Sequence, residues 1–155
     1  MKRTFSRLAK TVIRSRSTRS VEGAKLSIGT DLVWIPGVEQ SVRQFGQRFL
    51  QRVFTLRELD YCHNTITGAF RFDRLAARFA AKEAVMKLLR PSKDEALPWQ
   101  SIEIVTDENG APAVVLAPEL RRRYQRSGIY QIALSLSHDH EYATASAIAV
   151  PAAVI

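Results

Sequence analysis

Two acidic and three basic side chains have the types expected of a site that holds a metal-bound diphosphate. Asp31 stands in an apolar stretch, and Glu83 lies in an alanine-rich helical stretch. Mg²⁺ uses one or two carboxylates in proteins and completes its shell with water and phosphate oxygens. The basic residues of the same helical stretch could neutralise the remaining phosphate charge: Arg78, Lys82 and Lys87. These residues predict a magnesium–diphosphate site.

Asp31, Glu83 and Lys87 also have purely structural interpretations, which the sequence leaves open. Glu83 and Lys87 are four positions apart, so on a helix they project from one side and can form an ordinary salt bridge. Asp31 could cap a turn at the end of a strand. Only a fold that brings Asp31 close to Glu83 would favour the metal site.

Other candidate constellations give little support for a chemical function. Ser137, His138 and Asp139 are consecutive, and neighbours in an extended chain point to opposite sides, so they cannot form a hydrolase triad by themselves. His138 and His140 could point the same way, but no residue set completes a zinc site around them. The seven glycines are scattered, and no glycine-rich phosphate-binding loop is present.

A central helix must position Glu83 and its neighbouring cations. Residues 78–89 are rich in Ala, Leu, Met, Lys and Glu, and neither Gly nor Pro occurs before Pro91. At about 100° per residue, two apolar stripes form on opposite sides of this helix. The first contains Leu75, Phe79, Met86 and Leu89, and the second contains Ala77, Ala81, Ala84 and Leu88. The helix therefore has no broad solvated face, and its charges should lie in a partly enclosed site with partners.

The remaining elements indicate an α+β fold in one domain, residues 25–155, after a basic N-terminal extension, residues 1–24. Lys25–Ile35 is predicted to be the strand that carries Asp31. An amphipathic helix follows, with Val38, Val42, Phe45 and Phe49 on its apolar side. Its exposed side and the residues just after it carry Arg43, Arg48 and Arg52. The later elements are a capping box at Thr55–Glu58, a hairpin around Asn109-Gly110, a basic helix at 118–127, and strands at 129–137 and 142–150.

Composition restricts the class of protein. The chain has 155 residues and is 46% hydrophobic, which suits one globular domain with a real core. Its net charge of +8 suggests an anionic partner, but seven basic residues precede the first acid, Glu22. The single cysteine, Cys62, permits no internal disulfide, and no apolar run reaches the roughly 18 residues of a membrane span. A nucleic-acid-binding module and a metal-dependent phosphodiesterase remain alternatives.

Several sequence motifs occur together in one order along the chain. One is the run Arg78-Phe-Ala-Ala-Lys-Glu-Ala84. The other motifs are Ile28-Gly-Thr-Asp-Leu-Val33, Phe54-Thr-Leu-Arg-Glu58, Ile102-Glu-Ile, Asp107-Glu-Asn-Gly-Ala-Pro112 and Ser135-Leu-Ser-His138. Together these motifs resemble the holo-(acyl-carrier-protein) synthase family of 4′-phosphopantetheinyl transferases, in its actinobacterial-like variant, and the run at 78–84 is highly specific to that family. Three departures are Trp34-Ile-Pro-Gly37, where many members have Glu and Arg, Leu89–Lys93, which replaces a glycine-containing loop, and the basic N-terminal arm, which is extra. The resemblance covers about residues 26–150.

The resemblance implies transfer of phosphopantetheine from coenzyme A to a serine of apo acyl carrier protein or a carrier domain. Asp31 and Glu83 would hold Mg²⁺ on the coenzyme A diphosphate. Lys87 would bind the phosphates and stabilise developing charge. Glu83, directly or through a metal-bound water, would be the base for the serine.

The resemblance also implies the remaining contacts and the assembly. The nucleotide end of coenzyme A would meet Arg78, Lys82 and His138. The acidic carrier protein would dock on Arg43, Arg48 and Arg52. The fold would be an antiparallel sheet wrapped by a long central helix, assembled as a cytoplasmic homotrimer with active sites between subunits. Neither a membrane nor nucleic acid is expected as a partner.

Overall fold

The computed structural model describes residues 20–21, 24–92 and 95–151, with side chains from residue 26 onward. The strands are β1 Ser20–Val21, β2 Ala24–Lys25, β3 Ile28–Trp34, β4 Ile102–Thr106, β5 Pro112–Leu116, β6 Ile129–Asp139 and β7 Tyr142–Pro151. The helices are α1 Ile35–Phe45, α2 Gln47–Val53, α3 Leu56–Cys62, α4 Phe72–Leu89 and α5 Pro118–Arg126, with a 3₁₀ turn at Trp99–Ser101. Most of the predicted extension, residues 1–24, lies outside the described residues.

Antiparallel pairing organises the described strands, as the α+β prediction requires. The main sheet has the order β3-β7-β6, and β4 and β5 form the predicted hairpin. β3 pairs with β7 along its whole length, with Asp31 opposite Ala145. β6 and β7 are joined by a tight turn in which His140 has a positive φ of 49°. The main sheet therefore places β3 and β6 on either side of β7.

Helix α4 lies directly on this sheet because small residues line both sides of the contact. Ala76, Ala80 and Ala84 on the helix are fully buried, as are alternate alanines of β7. Gly29 of β3 marks the point of closest approach. A Cβ built at Gly29 would come within 1.9 Å of the Ala84 carbonyl oxygen, so the backbones could not stay this close with any other residue there.

Helix α4 is enclosed on all sides, which confirms the prediction that it lacks a solvated face. Eleven of its 18 residues are buried, and none falls in the exposed class. Arg90 ends it in the left-handed conformation, with φ 49° and ψ 59°. The capping box is also confirmed, since Thr55 accepts from the Glu58 amide and Glu58 accepts from the Thr55 amide.

The amphipathic helix predicted over Val38–Phe49 is divided in two. Gly46 adopts φ 54° and ψ −136°, which breaks the helical hydrogen-bond ladder between α1 and α2. Periodicity did not reveal the break because Phe49 of α2 is buried like Val38 of α1, so the apolar pattern continues across the bend. Within the described residues, no helix is both long and apolar enough to span a membrane.

The side of the main sheet that faces away from α4 is unusually apolar. We call it the outer sheet face. It comprises Ile28, Leu32, Trp34, Tyr142 and Ile148, which are 37–52% exposed. Register places Ile28 opposite Ile148 and Trp34 opposite Tyr142, on the same face as Leu32. Several large apolar side chains exposed on one sheet face commonly mark an interface with another protein surface.

Candidate functional site

Asp31 lies in the middle of β3 rather than at a strand end, so the turn-cap interpretation does not apply. Its side chain faces α4 and is 7% exposed. Lys87 of α4 donates from Nζ to Asp31 Oδ1 over 2.7 Å and to the Thr30 carbonyl oxygen over 3.0 Å. The closeness of α4 to β3 at Gly29 makes this contact possible. Strand and helix thus meet at a carboxylate–ammonium pair.

Glu83 belongs to the same site as Asp31 and Lys87, and we call these three residues the carboxylate cluster. Burial raises the pKa of Glu83, the negative charge of Asp31 raises it further, and Lys87 opposes both effects. Burial also raises the pKa of Asp31, against the stabilising bond from Lys87. The fold therefore brings two carboxylates together with only one neighbouring cation in the cluster.

The carboxylate cluster fits a divalent cation. Asp31 Oδ2 is buried and has no hydrogen-bond partner among the described residues, which leaves a carboxylate oxygen available as a ligand. Two carboxylates against one lysine leave a net negative charge. No group of three or more potential ligands from His, Cys, Asp and Glu occurs in the described part of the chain. Mg²⁺ needs only one or two carboxylates, because water and phosphate oxygens supply the rest of its shell.

The alternative of a simple Glu83–Lys87 salt bridge is not what the structure contains. Among the described ion pairs, Lys87 bonds to Asp31, and the Lys87 side chain is 32% exposed. Lys87 acts on Glu83 only through a longer-range Coulomb interaction. Because two of the three ammonium protons of Lys87 are used by β3, one remains for a phosphate oxygen.

Arg78 is buried on a different side of α4. It is only 4% exposed, and its Nη2 donates weakly to Thr106 Oγ1 at 3.4 Å. Its guanidinium lies 3.9 Å from the centroid of the Tyr61 ring. Nε of Arg78 has no hydrogen-bond partner among the described residues. A buried cation with an unused donor is suited to an anionic ligand.

His138 lies at the end of β6 and is half exposed. Its Nε2 is 3.8 Å from Asp73 Oδ2, at the start of α4. Asp31 is on β3, so β7 separates the two residues across the sheet. Around the helix axis, Arg78 and Lys87 are about 180° apart. A single chain therefore does not bring Arg78 and His138 together with the carboxylate cluster.

Lys82 is not positioned to hold a phosphate, contrary to the sequence prediction. It is fully buried, and its Nζ is 2.9 Å from Glu58 Oε2. The same Nζ donates to the Trp99 and Ile102 carbonyl oxygens. These three acceptors use all the protons of the ammonium group. Lys82 instead ties α4 to α3 and β4, and Glu58 also accepts from the Ile104 amide.

The three arginines predicted to bind the carrier protein are all exposed on α1 and α2. Arg43 is paired with Glu39 through Nη2 at 2.6 Å. Arg48 and Arg52 lie four apart on α2, so they project from one side of that short helix. Arg43 is on α1, which follows β3 directly, whereas Arg48 and Arg52 are on the next helix, beyond the bend at Gly46.

Sequence reasoning did not identify three residues that shape the site. Gly29 permits the close approach of α4, Glu58 partners Lys82, and Tyr61 contacts Arg78. A glycine inside a strand two residues before Asp31 was an available signal of backbone contact. The partner of Lys82 had no such signal, because Glu58 is fully explained in sequence by its capping box.

Comparison of the amino-acid sequence with known proteins identifies a family and several relatives of this chain. Residues 27–147 match the model of the 4′-phosphopantetheinyl transferase superfamily. The chain is 41% identical over 123 residues to a holo-[acyl-carrier-protein] synthase of Protochlamydia amoebophila, covering 79% of this chain and 96% of that protein. It is 37% identical over 123 residues to the synthase of Koribacter versatilis, with the same coverage.

Solved structures agree with the sequence comparison. The crystal structure of holo-[acyl-carrier-protein] synthase from Neisseria meningitidis superposes with a TM-score of 0.70 at 31% identity, covering 80% of this chain and 97% of that one. The Helicobacter pylori synthase, solved in complex with coenzyme A, gives a TM-score of 0.68 at 28% identity, covering 79% and 99%.

Proposed function

The chain belongs to the 4′-phosphopantetheinyl transferase superfamily, and we propose that it is a holo-[acyl-carrier-protein] synthase. It transfers the 4′-phosphopantetheine group of coenzyme A to a serine of apo acyl carrier protein and releases adenosine 3′,5′-bisphosphate. The structural observation that best supports this function is the carboxylate cluster. It joins β3 and α4 within the region that matches the family.

The reaction makes one phosphorus–oxygen bond and breaks another. The carrier serine oxygen bonds to the diphosphate phosphorus nearest the pantetheine, and the bond to the bridging oxygen breaks. The serine gives up its proton, and the bridging oxygen leaves with the adenosine 3′,5′-bisphosphate. Positioned cations lower the barrier to such a transfer because negative charge builds on the phosphate oxygens.

Within the carboxylate cluster, the residues have separable roles. Glu83 takes the proton from the serine, as a carboxylate that the fold holds beside Asp31 and Lys87. Lys87 is held by Asp31 and Thr30 with one proton still available, which it donates to a phosphate oxygen. Asp31 orients Lys87 through Oδ1, and its Oδ2 would be a ligand of the metal ion.

Asp31 and Glu83 would hold Mg²⁺, whose presence the orphaned Oδ2 and the net negative charge of the cluster support. When bound, the ion would neutralise charge on the diphosphate. The raised pKa values of both carboxylates mean that ion binding competes with protons at a higher pH than for exposed carboxylates.

The complete site is composed of two chains of a homotrimer. Arg78 and His138 are directed away from the carboxylate cluster of their own chain, so they serve the nucleotide end of coenzyme A bound at a neighbouring chain. The outer sheet face supports this assembly, because its apolar side chains need a partner surface.

The acidic acyl carrier protein docks on Arg43, Arg48 and Arg52, which are exposed on α1 and α2 and present positive charge. The free and buried Cys62 suits a reducing compartment. We therefore place the enzyme in the cytoplasm, where holo carrier protein supplies fatty acid synthesis.

Mass spectrometry of an apo carrier protein incubated with the enzyme, coenzyme A and Mg²⁺ tests the proposed function. The expected result is a mass increase equal to one phosphopantetheine on the carrier serine, absent without coenzyme A. An unchanged carrier mass across several carrier proteins, or hydrolysis of coenzyme A without carrier modification, would contradict it. The second outcome would indicate a phosphodiesterase.

A further inference from the structure

Two arginines of α4 share a single aromatic ring. Arg74 and Arg78 are one turn apart on the helix, and their guanidinium carbons lie 4.8 Å and 3.9 Å from the centroid of the Tyr61 ring. Arg74 Nη1 also donates to the Tyr61 carbonyl oxygen over 3.0 Å. We call Tyr61, Arg74 and Arg78 the arginine cluster. Tyr61 of α3 thus contacts both cations and fixes where they lie.

No carboxylate neutralises the arginine cluster within the described residues. Neither Arg74 nor Arg78 takes part in any of the ion pairs there. The nearby Asp73 is already bonded to Arg71, whose Nη2 is 2.6 Å from Asp73 Oδ2. Two guanidinium groups on one ring repel each other, and the ring's quadrupole compensates only part of that repulsion. The cluster therefore carries positive charge that no ion pair among the described residues offsets.

Arg78 bears most of the cost of this arrangement. It is 4% exposed, its Nε has no hydrogen-bond partner in the described part of the chain, and its Nη2 reaches Thr106 only at 3.4 Å. Burying a charge without full hydrogen bonding is unfavourable unless a ligand completes the set. Tyr61 is 42% exposed, so the ring that holds the two arginines is itself open to an incoming molecule.

The Tyr61 hydroxyl is also tied into the cluster. A hydrogen bond with Thr106 lowers the pKa of the phenol, and the positive charges of Arg78 and Arg74 lower it further. Thr106 ends β4, so the ring is held from the hairpin side as well as by its own helix. Tyr61 therefore has a fixed position between α4 and the hairpin.

We propose that Tyr61 is a positioning residue for Arg78, and that Arg74 is the second cation which binds the terminal phosphate at the nucleotide end of coenzyme A. This inference rests on the proposed function. Arg74 takes the part that the sequence assigned to Lys82, whose ammonium group is used entirely within the core. Both cations of this subsite then come from consecutive turns of one helix.

A phosphate monoester is the ligand chemistry that suits the cluster. It carries close to two negative charges near neutral pH, and two guanidinium groups can donate several hydrogen bonds to its oxygens. The diphosphate of the same substrate belongs to the carboxylate cluster. The arginine cluster should therefore distinguish adenosine 3′,5′-bisphosphate from 5′-AMP, which lacks the 3′-phosphate.

Titration calorimetry with these two nucleotides tests the role of Arg74. Arg74→Gln should weaken binding of adenosine 3′,5′-bisphosphate by about tenfold to a hundredfold, the scale of a lost charged hydrogen bond. Binding of 5′-AMP should hardly change. Arg126→Gln is the matched control, because Arg126 is an exposed arginine on α5 with no described partner and should leave both affinities unchanged.

Tyr61 variants test positioning separately from folding. Tyr61→Leu removes the ring, and we expect about a tenfold rise in KM for coenzyme A with kcat nearly unchanged. Tyr61→Phe keeps the ring and should restore most of the wild-type KM. With dephospho-coenzyme A as the donor, all three proteins should have similar KM values. A merely structural role would change KM for both donors alike.

Two outcomes would overturn the inference. One is an Arg74→Gln protein that binds adenosine 3′,5′-bisphosphate as tightly as wild type. The other is a Tyr61→Leu protein whose KM rises equally for coenzyme A and dephospho-coenzyme A. Failure of the proposed function would look different, because the wild-type protein itself would then transfer no phosphopantetheine from either donor.

Discussion

The carboxylate cluster and the arginine cluster both include charged residues of α4, but their net charges have opposite signs. The first has two carboxylates whose pKa values are raised and one lysine, so it lacks positive charge. The second has two arginines and no bonded carboxylate among the described residues, so it lacks negative charge. Because Arg78 and Lys87 are about 180° apart around α4, the clusters cannot satisfy each other within one chain. Under the proposed function, each cluster supplies half of a site for a metal-bound, phosphorylated substrate.

The core beneath the two clusters is common to both. Lys82 lies between them in sequence and bonds to Glu58, Trp99 and Ile102. Gly29 and the alanines of α4 and β7 set the distance from helix to sheet. Substitutions in this core should disturb both clusters together, whereas substitutions in one cluster should leave the other intact.

The largest effect is expected at Lys82, which supports both regions. Lys82→Met leaves the Glu58 carboxylate buried without its counter-ion, and the free energy of unfolding should fall by about 3–5 kcal/mol. Denaturant titration followed by circular dichroism measures this. Adding Glu58→Gln should recover part of the loss. If the Lys82→Met protein were as stable as wild type but had a raised KM for coenzyme A, Lys82 would be a phosphate-binding residue and its assignment to the core would be wrong.

Changes in the carboxylate cluster should reduce catalysis without affecting the fold. Glu83→Gln removes a metal ligand and the proposed base while keeping the shape of the side chain. We expect kcat to fall about a hundredfold or more. Asp31→Asn should raise the Mg²⁺ concentration needed for half-maximal activity. If both variants transferred phosphopantetheine at wild-type rates in limiting Mg²⁺, the metal-site assignment would be wrong.

The basic surface on α1 and α2 should give a smaller, substrate-selective effect. Arg48→Glu is expected to raise KM for the carrier protein roughly fivefold at low salt, and less at high salt, because the interaction steers association. KM for coenzyme A should stay near its wild-type value. Arg43→Gln should have a weaker effect, since Glu39 already neutralises part of that charge. Equal changes in both KM values would refute the docking assignment.

The smallest expected effect is a gain in stability of the metal-free protein. The pKa of Glu83 is raised in the folded state, so its charged form costs stability at neutral pH, and this cost disappears as the pH falls to the unfolded-state value. Glu83→Gln should therefore raise Tm in EDTA by a few degrees at pH 7. The difference should vanish near pH 4. A lower Tm for the variant at pH 7 would contradict this electrostatic account.

Much of the fold follows from local patterns in the sequence. Two apolar stripes on one helix predicted the enclosure of α4, and the capping box and the Asn-Gly turn located α3 and the β4–β5 hairpin. The bend at Gly46 was missed because the apolar period continues across it. Periodicity reports which side of a helix is apolar, and a change of helix direction need not alter it.

The site was less predictable because the sequence does not show which charged residues are buried with a partner and which are exposed. Lys82 and Lys87 were both assigned to phosphates, yet the fold buries the first against Glu58 and leaves the second a third exposed beside Asp31. Motif resemblance selected Asp31, Glu83 and Lys87, which the structure brings together. It did not indicate Tyr61 or Arg74, whose proposed roles rest on contacts between α3 and α4.

Mixed assemblies give the most direct test that one active site is composed of two chains. One chain carries Glu83→Gln, the other carries Arg78→Gln with His138→Ala, and the two are co-expressed with different tags and purified through both. Every mixed trimer then contains one site with both halves intact, so activity should return to about one third of wild type per trimer. Mixed assemblies no more active than their parents, or a failure to form any, would contradict the composite site.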